Sequence, residues 1–419
     1  MLRIIRSTDK PALARLMRSR ATSLASAERV AARILEDVRQ NGDRALVRYA
    51  KKFDGLDLGK TGFEVTRQEI QAAHRQVPRG FVAALRVAVR NLRAVARRQL
   101  PRAWQTTTSA GVKVSQIVRP LERVACYVPG GRFPLPSTVL MSVIPAQIAG
   151  VKEIIVTSPR PAPAVLVAAD FLGVERIFPL GGAQAIAAFA YGTRNVPRAD
   201  KIVGPGNRYV AAAKKLVAGE CGIDFIAGPS ELVVAGSRGN PRWIAADLVA
   251  QAEHDPDAVA IFVTASPRLA LQVQRAAESM VTELGLPVAR ASLAAQGAII
   301  VTGTAEESLT LANRLAPEHL TLLDDAAQWL DRIQSAGSIF LGDFSPVAAG
   351  DYASGTNHIL PTGGVARLRG GLSAADFVKV ITTQRLTRAG LARLRRSIVA
   401  LAETEGLRAH AYSVDTRFK

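Results

Sequence analysis

Histidine, cysteine and aromatic side chains are scarce in this chain: five histidines, two cysteines and 5% aromatics among 419 residues. Cys126 and Cys221 form no CxxC pair and no disulfide framework, so a stapled extracellular domain is excluded and a reducing cytoplasm is the simplest setting. Each thiol reads as a small buried apolar group. No apolar run of 18 or more residues is free of charge, so no membrane-spanning helix is expected. The first twenty or so residues carry arginines but no apolar signal core, which argues against secretion, although the acid-poor, Arg-rich start has the composition of a transit peptide.

Acidic residues are also thin at the start. Residues 1–120 hold 25 Lys+Arg against 9 Asp+Glu, a net charge of +16, whereas the rest of the chain nets +3. Such asymmetry raises a nucleic-acid surface as one reading. The basic residues are spread along helical patterns such as 81–100, not gathered in blocks, and few aromatics interleave as stacking platforms. Nonspecific binding of polyanions at low salt is the expectation, with nucleic-acid recognition kept as the alternative from a different class.

With 48% hydrophobic residues over this length, two or more packed α/β units are expected. The first 115 residues read mostly as helices. Apolar positions at helical spacing run through 26–48, broken at Asn41-Gly42-Asp43, and Phe53-Asp54-Gly55 ends the next helix. From about Val118 short apolar runs alternate with Gly/Pro turns and alanine-rich stretches. Strands are predicted at 124–128, 153–157, 176–179 and 201–203, with helices at 138–149, 165–172, 183–191 and 209–217. A second series has strands at 232–235, 258–264, 298–302, 320–323 and 338–341, with helices at 243–253 and 269–284. This alternation predicts two Rossmann-like parallel-sheet units, with a helical N-terminal segment and a helical C-terminal tail.

Four of the five histidines lie in short polar strings, three of them beside a carboxylate suited to proton transfer or metal ligation. Gln251 and His254 are three apart at a predicted helix end, so an amide and an imidazole face one side, half of a zinc or manganese shell. Glu318 and His319 follow Pro317; in a turn both can reach one cleft, as proton abstraction plus water activation requires. Asp351 and His358 bracket a Ser-Gly-Thr turn, expected on a loop at a sheet's C-terminal edge. Glu405 and His410 lie in the tail, where a plain surface helix is the simpler reading. Glycine turns at 129–131, 181–183 and 204–207 each follow a strand, where backbone N–H groups cradle phosphates, but none fits GxGxxG. GxSxG and HExxH are absent.

Ordered segments then carry a resemblance: YVPGG at 127–131, PSTVLM at 136–141, GGAQAI at 181–186, VGPGN at 203–207, AGPSE at 227–231, QAEH at 251–254, APEHL at 316–320, the stretch 350–361 and EGLRAH at 405–410. Together they resemble the histidinol dehydrogenases, from about residue 25 to the end. That family oxidises L-histidinol to L-histidine through an aldehyde with two NAD+, the last step of histidine biosynthesis. The resemblance implies one Zn2+ per subunit on Gln251, His254, Asp351 and His410. It implies His319 as the base, Glu318 as the group activating water, and Ser230, His358 and Glu405 as further substrate contacts beside the zinc ligands and His319. Tyr127, Gln184 and Asn207 resemble NAD contacts. It implies a homodimer whose tail completes the neighbouring site. It also implies a division into an N-terminal arm (1–25), a discontinuous catalytic domain (26–119 plus 231–365), an inserted NAD-binding domain (120–230) and a helical tail (366–419). An NAD-dependent dehydrogenase of another small alcohol on the same scaffold is the nearest alternative.

Overall fold

In the computed structural model, residues 2–20, 24–131 and 133–419 are described; of the expected N-terminal arm, residues 1 and 21–23 lie outside the described residues. The strands run in chain order as β1 (Arg3–Arg6), β2 (Trp104–Ser109), β3 (Val112–Pro120), β4 (Arg123–Tyr127), β5 (Glu153–Thr157), β6 (Arg176–Phe178), β7 (Lys201–Val203), β8 (Gly222–Ile223), β9 (Glu231–Ala235), β10 (Val259–Thr264), β11 (Ala298–Val301), β12 (His319–Leu322), β13 (Ser338–Leu341) and β14 (Val378–Leu386). They form two parallel sheets, in the orders β6-β5-β4-β7-β8 and β1-β11-β10-β9-β12-β13. Strands β9, β10 and β12 are buried at every residue, as expected of strands covered on both faces. The first sheet begins at its central strand β4, and the second, apart from β1 at its edge, grows outward from β9. The order reverses beside each, between β4 and β7 in the first sheet and between β9 and β12 in the second, and such reversals open a crevice for ligands.

Helices cover the faces. Gly182–Tyr191, Arg208–Val217 and Ala25–Asn41 pack together over one face of the first sheet, and Pro136–Ala149, Pro163–Phe171, Arg67–His74 and Phe81–Arg98 over the other. On the second sheet, Pro241–Glu253 and Pro267–Glu283 cover one face, and Lys10–Ser19 and Ala305–Leu315 the other. This packing differs from the expected division, which put residues 26–119 with the second series. The apolar stripe Ala27, Ala31, Ile34, Leu35 and Val38 meets small alanines of Gly182–Tyr191 and Arg208–Val217, so these helices join the first sheet instead. The N-terminal segment is built into the second sheet: β1 pairs in parallel with β11, from Arg3↔Ala298 to Arg6↔Val301, and Leu16 is buried with β9, β10 and β12.

A third, antiparallel sheet β14-β3-β2 was not expected, because both its stretches read as helical or turn-like. β14 pairs with β3 from Val378↔Pro120 to Leu386↔Val112, so part of the expected helical tail is a nine-residue strand. The helices Arg388–Thr404 and Arg408–Asp415 follow it. The predicted break at Asn41-Gly42-Asp43 is present: Gly42 adopts φ +51°, ends Ala25–Asn41 and starts Asp43–Tyr49.

Candidate active site

Glu231 opens β9 and His319 opens β12, so the two lie side by side at the N-terminal edge of the second sheet, with Leu232↔His319 in register. Glu318 directly precedes β12. Its Oε2 accepts a hydrogen bond from the Glu231 backbone N–H at 2.7 Å. The backbone oxygen of Glu231 lies 3.2 Å from His319 Nδ1. A carbonyl oxygen only accepts, so Nδ1 carries a proton and Nε2 is the nitrogen that gains or loses one. Among the described residues that buried Nε2 has no hydrogen-bond partner; it lies 3.6 Å from Asp351 Oδ1, beyond hydrogen-bond length. Adjacent residues on a strand would point apart; at the strand's first residue both reach one place, with Glu318 Oε2 3.5 Å from His319 Nδ1. Burial opposes the imidazolium, but the Glu318 and Asp351 carboxylates outweigh it and push His319 up to about 10.

Gln251 is in the last turn of Pro241–Glu253 and His254 is its C-terminal cap. Asp351 lies in the helix Val347–Tyr352, which packs against Pro241–Glu253. Gln251 is 4% exposed, and its Nε2 has no hydrogen-bond partner among the described residues. Burial pushes the Asp351 carboxyl up, and the nearby His319, His358 and His254 outweigh it, so the group is held below its usual range. His358 Nδ1 is 3.1 Å from the Asp351 carbonyl and its Nε2 is 3.2 Å from Thr138 Oγ1. Burial lowers its proton affinity. Ser230 precedes β9, its carbonyl accepting from the Val259 N–H at 2.9 Å.

The expected position of Asp351 and His358 is corrected in two respects. Asp351 is on a helix, not a loop, and it meets His319 at the N-terminal edge of the second sheet, not at a C-terminal edge. The crossover geometry explains this: the helix after a strand runs back antiparallel to it, so its C-terminal end, with Gln251 and His254 here, arrives where the strands begin.

Thr138 ties this edge to the first sheet. It lies in the first turn of Pro136–Ala149, the helix after β4, so the C-terminal edge of the first sheet faces the N-terminal edge of the second. There Tyr127 ends β4 and Asn207 follows β7, flanking the first sheet's reversal point. The Tyr127 hydroxyl accepts from the Gly182 N–H at 3.2 Å, and burial pushes its pKa up to about 12. Gln184 is 2% exposed in the first turn of Gly182–Tyr191. Asn207 caps Arg208–Val217, accepting from the Tyr209 and Val210 N–H groups at 3.0 and 3.2 Å.

Glu405 and His410 are not brought to these groups in the single chain. Both are exposed, on the helix pair that packs on itself and on β14. Among the described residues, no three His, Cys, Asp or Glu side chains converge on a metal-sized point. Cys126 and Cys221 are buried, with thiols pushed up to about 12 and about 11 by burial, so both are inert packing groups. Sequence reasoning gave no role to Glu231, although it closes the AGPSE segment, nor to Thr138 or Arg20. Their signal lies in contacts across more than two hundred residues.

The histidinol dehydrogenase family model matches residues 17–418. The chain is 51% identical over 399 residues to the histidinol dehydrogenase of Syntrophotalea carbinolica, covering 94% of this chain and 93% of that one. It is 47% identical to that of Methanothermobacter thermautotrophicus, covering 92% of each. The crystal structure of histidinol dehydrogenase from Elizabethkingia anophelis superposes with a TM-score of 0.90 at 39% identity, over 95% of this chain and 93% of that one. With the matching segments spread along nearly the whole chain and the fold shared over the same span, this protein belongs to the histidinol dehydrogenase family.

Proposed function

We propose that the protein oxidises L-histidinol to L-histidine, through the aldehyde and with two NAD+, as the last step of histidine biosynthesis in the cytoplasm. The observation that carries this reading is the His319 ring: protonated at Nδ1 by its backbone contact, with a buried Nε2 that bonds to no described residue, and lying between Glu318 and Asp351. Burial disfavours the imidazolium, so with the Asp351 charge engaged by a bound metal the His319 ring would be neutral, and its Nε2 takes the hydroxyl proton as a hydride leaves the same carbon for NAD+. Glu318, with one oxygen held by the Glu231 N–H, uses the other to draw a proton from the water that adds to the aldehyde. As the water adds, His319 returns the proton it took to the aldehyde oxygen, which leaves its Nε2 free to take a hydrate proton as the second hydride leaves. Ser230, His358 and Glu405 hold the substrate. Tyr127, Gln184 and Asn207 hold NAD+ at the facing edge, where the first sheet reverses order.

Zinc, one per subunit, fits Gln251, His254 and Asp351. The Gln251 amide is buried, and no described residue bonds the atom at its Nε2 position; a flip of the amide puts its oxygen there, and amide oxygen, imidazole and carboxylate are zinc donors. When bound, the metal would compensate the Asp351 charge and anchor the substrate's amine and imidazole. His410 is the fourth donor, reaching the site of a second copy. A homodimer accounts for the tail's surface: Arg388–Thr404 buries only Gly390 and Ala402, while Leu401 is 66% and Tyr412 61% exposed.

The test is NADH formed per L-histidinol consumed, with and without a chelator. Two NADH, abolished by chelation and restored by zinc, is the expected result. One NADH would remove Glu318 from the hydration step, and none would move the substrate to another alcohol.

A further inference from the structure

Arg20, just beyond the helix Lys10–Ser19, is 6% exposed, an unusual place for an arginine. Its Nε donates to Glu231 Oε1 at 3.0 Å and its Nη2 to Glu231 Oε2 at 2.8 Å. Both side chains are out of water, at 5% and 2% exposure. One fork engages both oxygens, the Gly363 backbone N–H reaches the same carboxylate, and at 2% exposure the Glu231 side chain is shut off from solvent. Its backbone is what faces the chemistry. The Glu231 N–H holds Glu318 Oε2, and the Glu231 carbonyl fixes the His319 ring. One residue thus sets the orientation of both members of the pair, and one arginine sets the orientation of that residue.

We propose that Arg20 is a positioning residue for the oxidation, its bidentate grip on Glu231 holding the backbone that orients Glu318 and His319. The role rests on reading those two as the proton-handling pair. It gives a function to the N-terminal segment. The helix Lys10–Ser19 is anchored by Leu16 on the second sheet and ends where its next side chain reaches the base of the site. A buried Arg–Glu pair adds little stability over an apolar pair of like volume, so stability alone does not account for its place beside two more ionisable groups, and an orienting role does. Lysine keeps the charge but not the fork.

The experiment compares wild type with Arg20→Lys in the full-length, zinc-loaded protein. It measures kcat, the KM values for L-histidinol and NAD+, the melting midpoint, and the nitrogen NMR signals of the His319 imidazole, assigned with His319→Asn. A displaced His319 Nδ1 signal is expected, with kcat down by about 10- to 100-fold while both KM values stay within about two-fold, since small misplacements cost that much. The paired variant Arg20→Met/Glu231→Gln leaves no unpaired charge and guards against misfolding; the same displacement and the same kcat loss are expected of it. An unchanged His319 signal and kcat in a folded variant overturn the proposal. So does a loss of activity that only tracks the folded fraction. A displaced signal with undiminished kcat upholds the orienting contact and instead removes His319 as the base.

Discussion

The clearest residue-scale device outside the candidate site is a charge buried beneath the turn that follows β7. Lys214 is 2% exposed, contacts Asp224 directly and donates to the Gly204 carbonyl at 3.0 Å. Asp224 in turn accepts from the Gly204 N–H at 2.7 Å and from the Phe225 N–H at 2.7 Å. Lysine is almost never this buried unless paired, and here ammonium and carboxylate together satisfy both polar groups of one glycine. Lys214→Met leaves the Asp224 charge unanswered and should cost about 3–5 kcal/mol of unfolding free energy, read from denaturant titration. Lys214→Met/Asp224→Asn should regain a large part of that loss. Equal stability of the single variant and wild type would show that the ammonium is not needed there.

Among the elements, the turn after β7 is the most constrained. Gly204 has φ +116°, and a Cβ there would lie 2.0 Å from the Tyr127 carbonyl oxygen. Only glycine lets β7 and β4 approach this closely at the reversal point where Tyr127 and Asn207 sit. Gly204→Ala must spread that crevice. It should cost about 1–3 kcal/mol from backbone strain alone and raise the KM for NAD+ more than that for L-histidinol. A rise confined to L-histidinol would place the cofactor elsewhere. The basic N-terminal third has a plain reading at this scale too. In Phe81–Arg98, Leu85, Ala88, Val89, Leu92 and Ala96 are buried while Arg86, Arg90, Arg97 and Arg98 face solvent, so the charge lies on the outer side of an amphipathic helix.

For the molecule as a whole, the tail decides whether a site is complete. If Glu405 and His410 serve a second copy, then His319→Ala and His410→Ala chains are each inactive alone but complement when refolded together. In the mixed dimer one site collects both lesions and the other collects none. Mixed dimers should therefore show about half of wild-type activity per dimer, measured after separating them by differential tagging. No recovery would mean that each tail serves its own chain.

Much was legible in the sequence because local signals and global fold agree there. The strands β4 to β7 and β9 to β13 lie within a residue or two of the expected positions, since buried parallel strands are apolar throughout and stand out between glycine and proline turns. β2 and β14 escaped notice because Gln105, Thr106, Thr107, Thr382, Thr383 and Gln384 are polar and face outward; only their pairing with β3 makes them strands. The residue types of the candidate site, Glu318, His319, Gln251, His254 and Asp351, could be picked out from their strings, since scarce imidazoles beside carboxylates are a chemical signal in themselves. Their meeting at the N-terminal edge, the assignment of the N-terminal helices to the first sheet and the Arg20–Glu231 pair could not. Those depend on which way a crossover helix returns and which apolar stripe finds which alanine face, and such choices are made by packing between segments far apart in the chain.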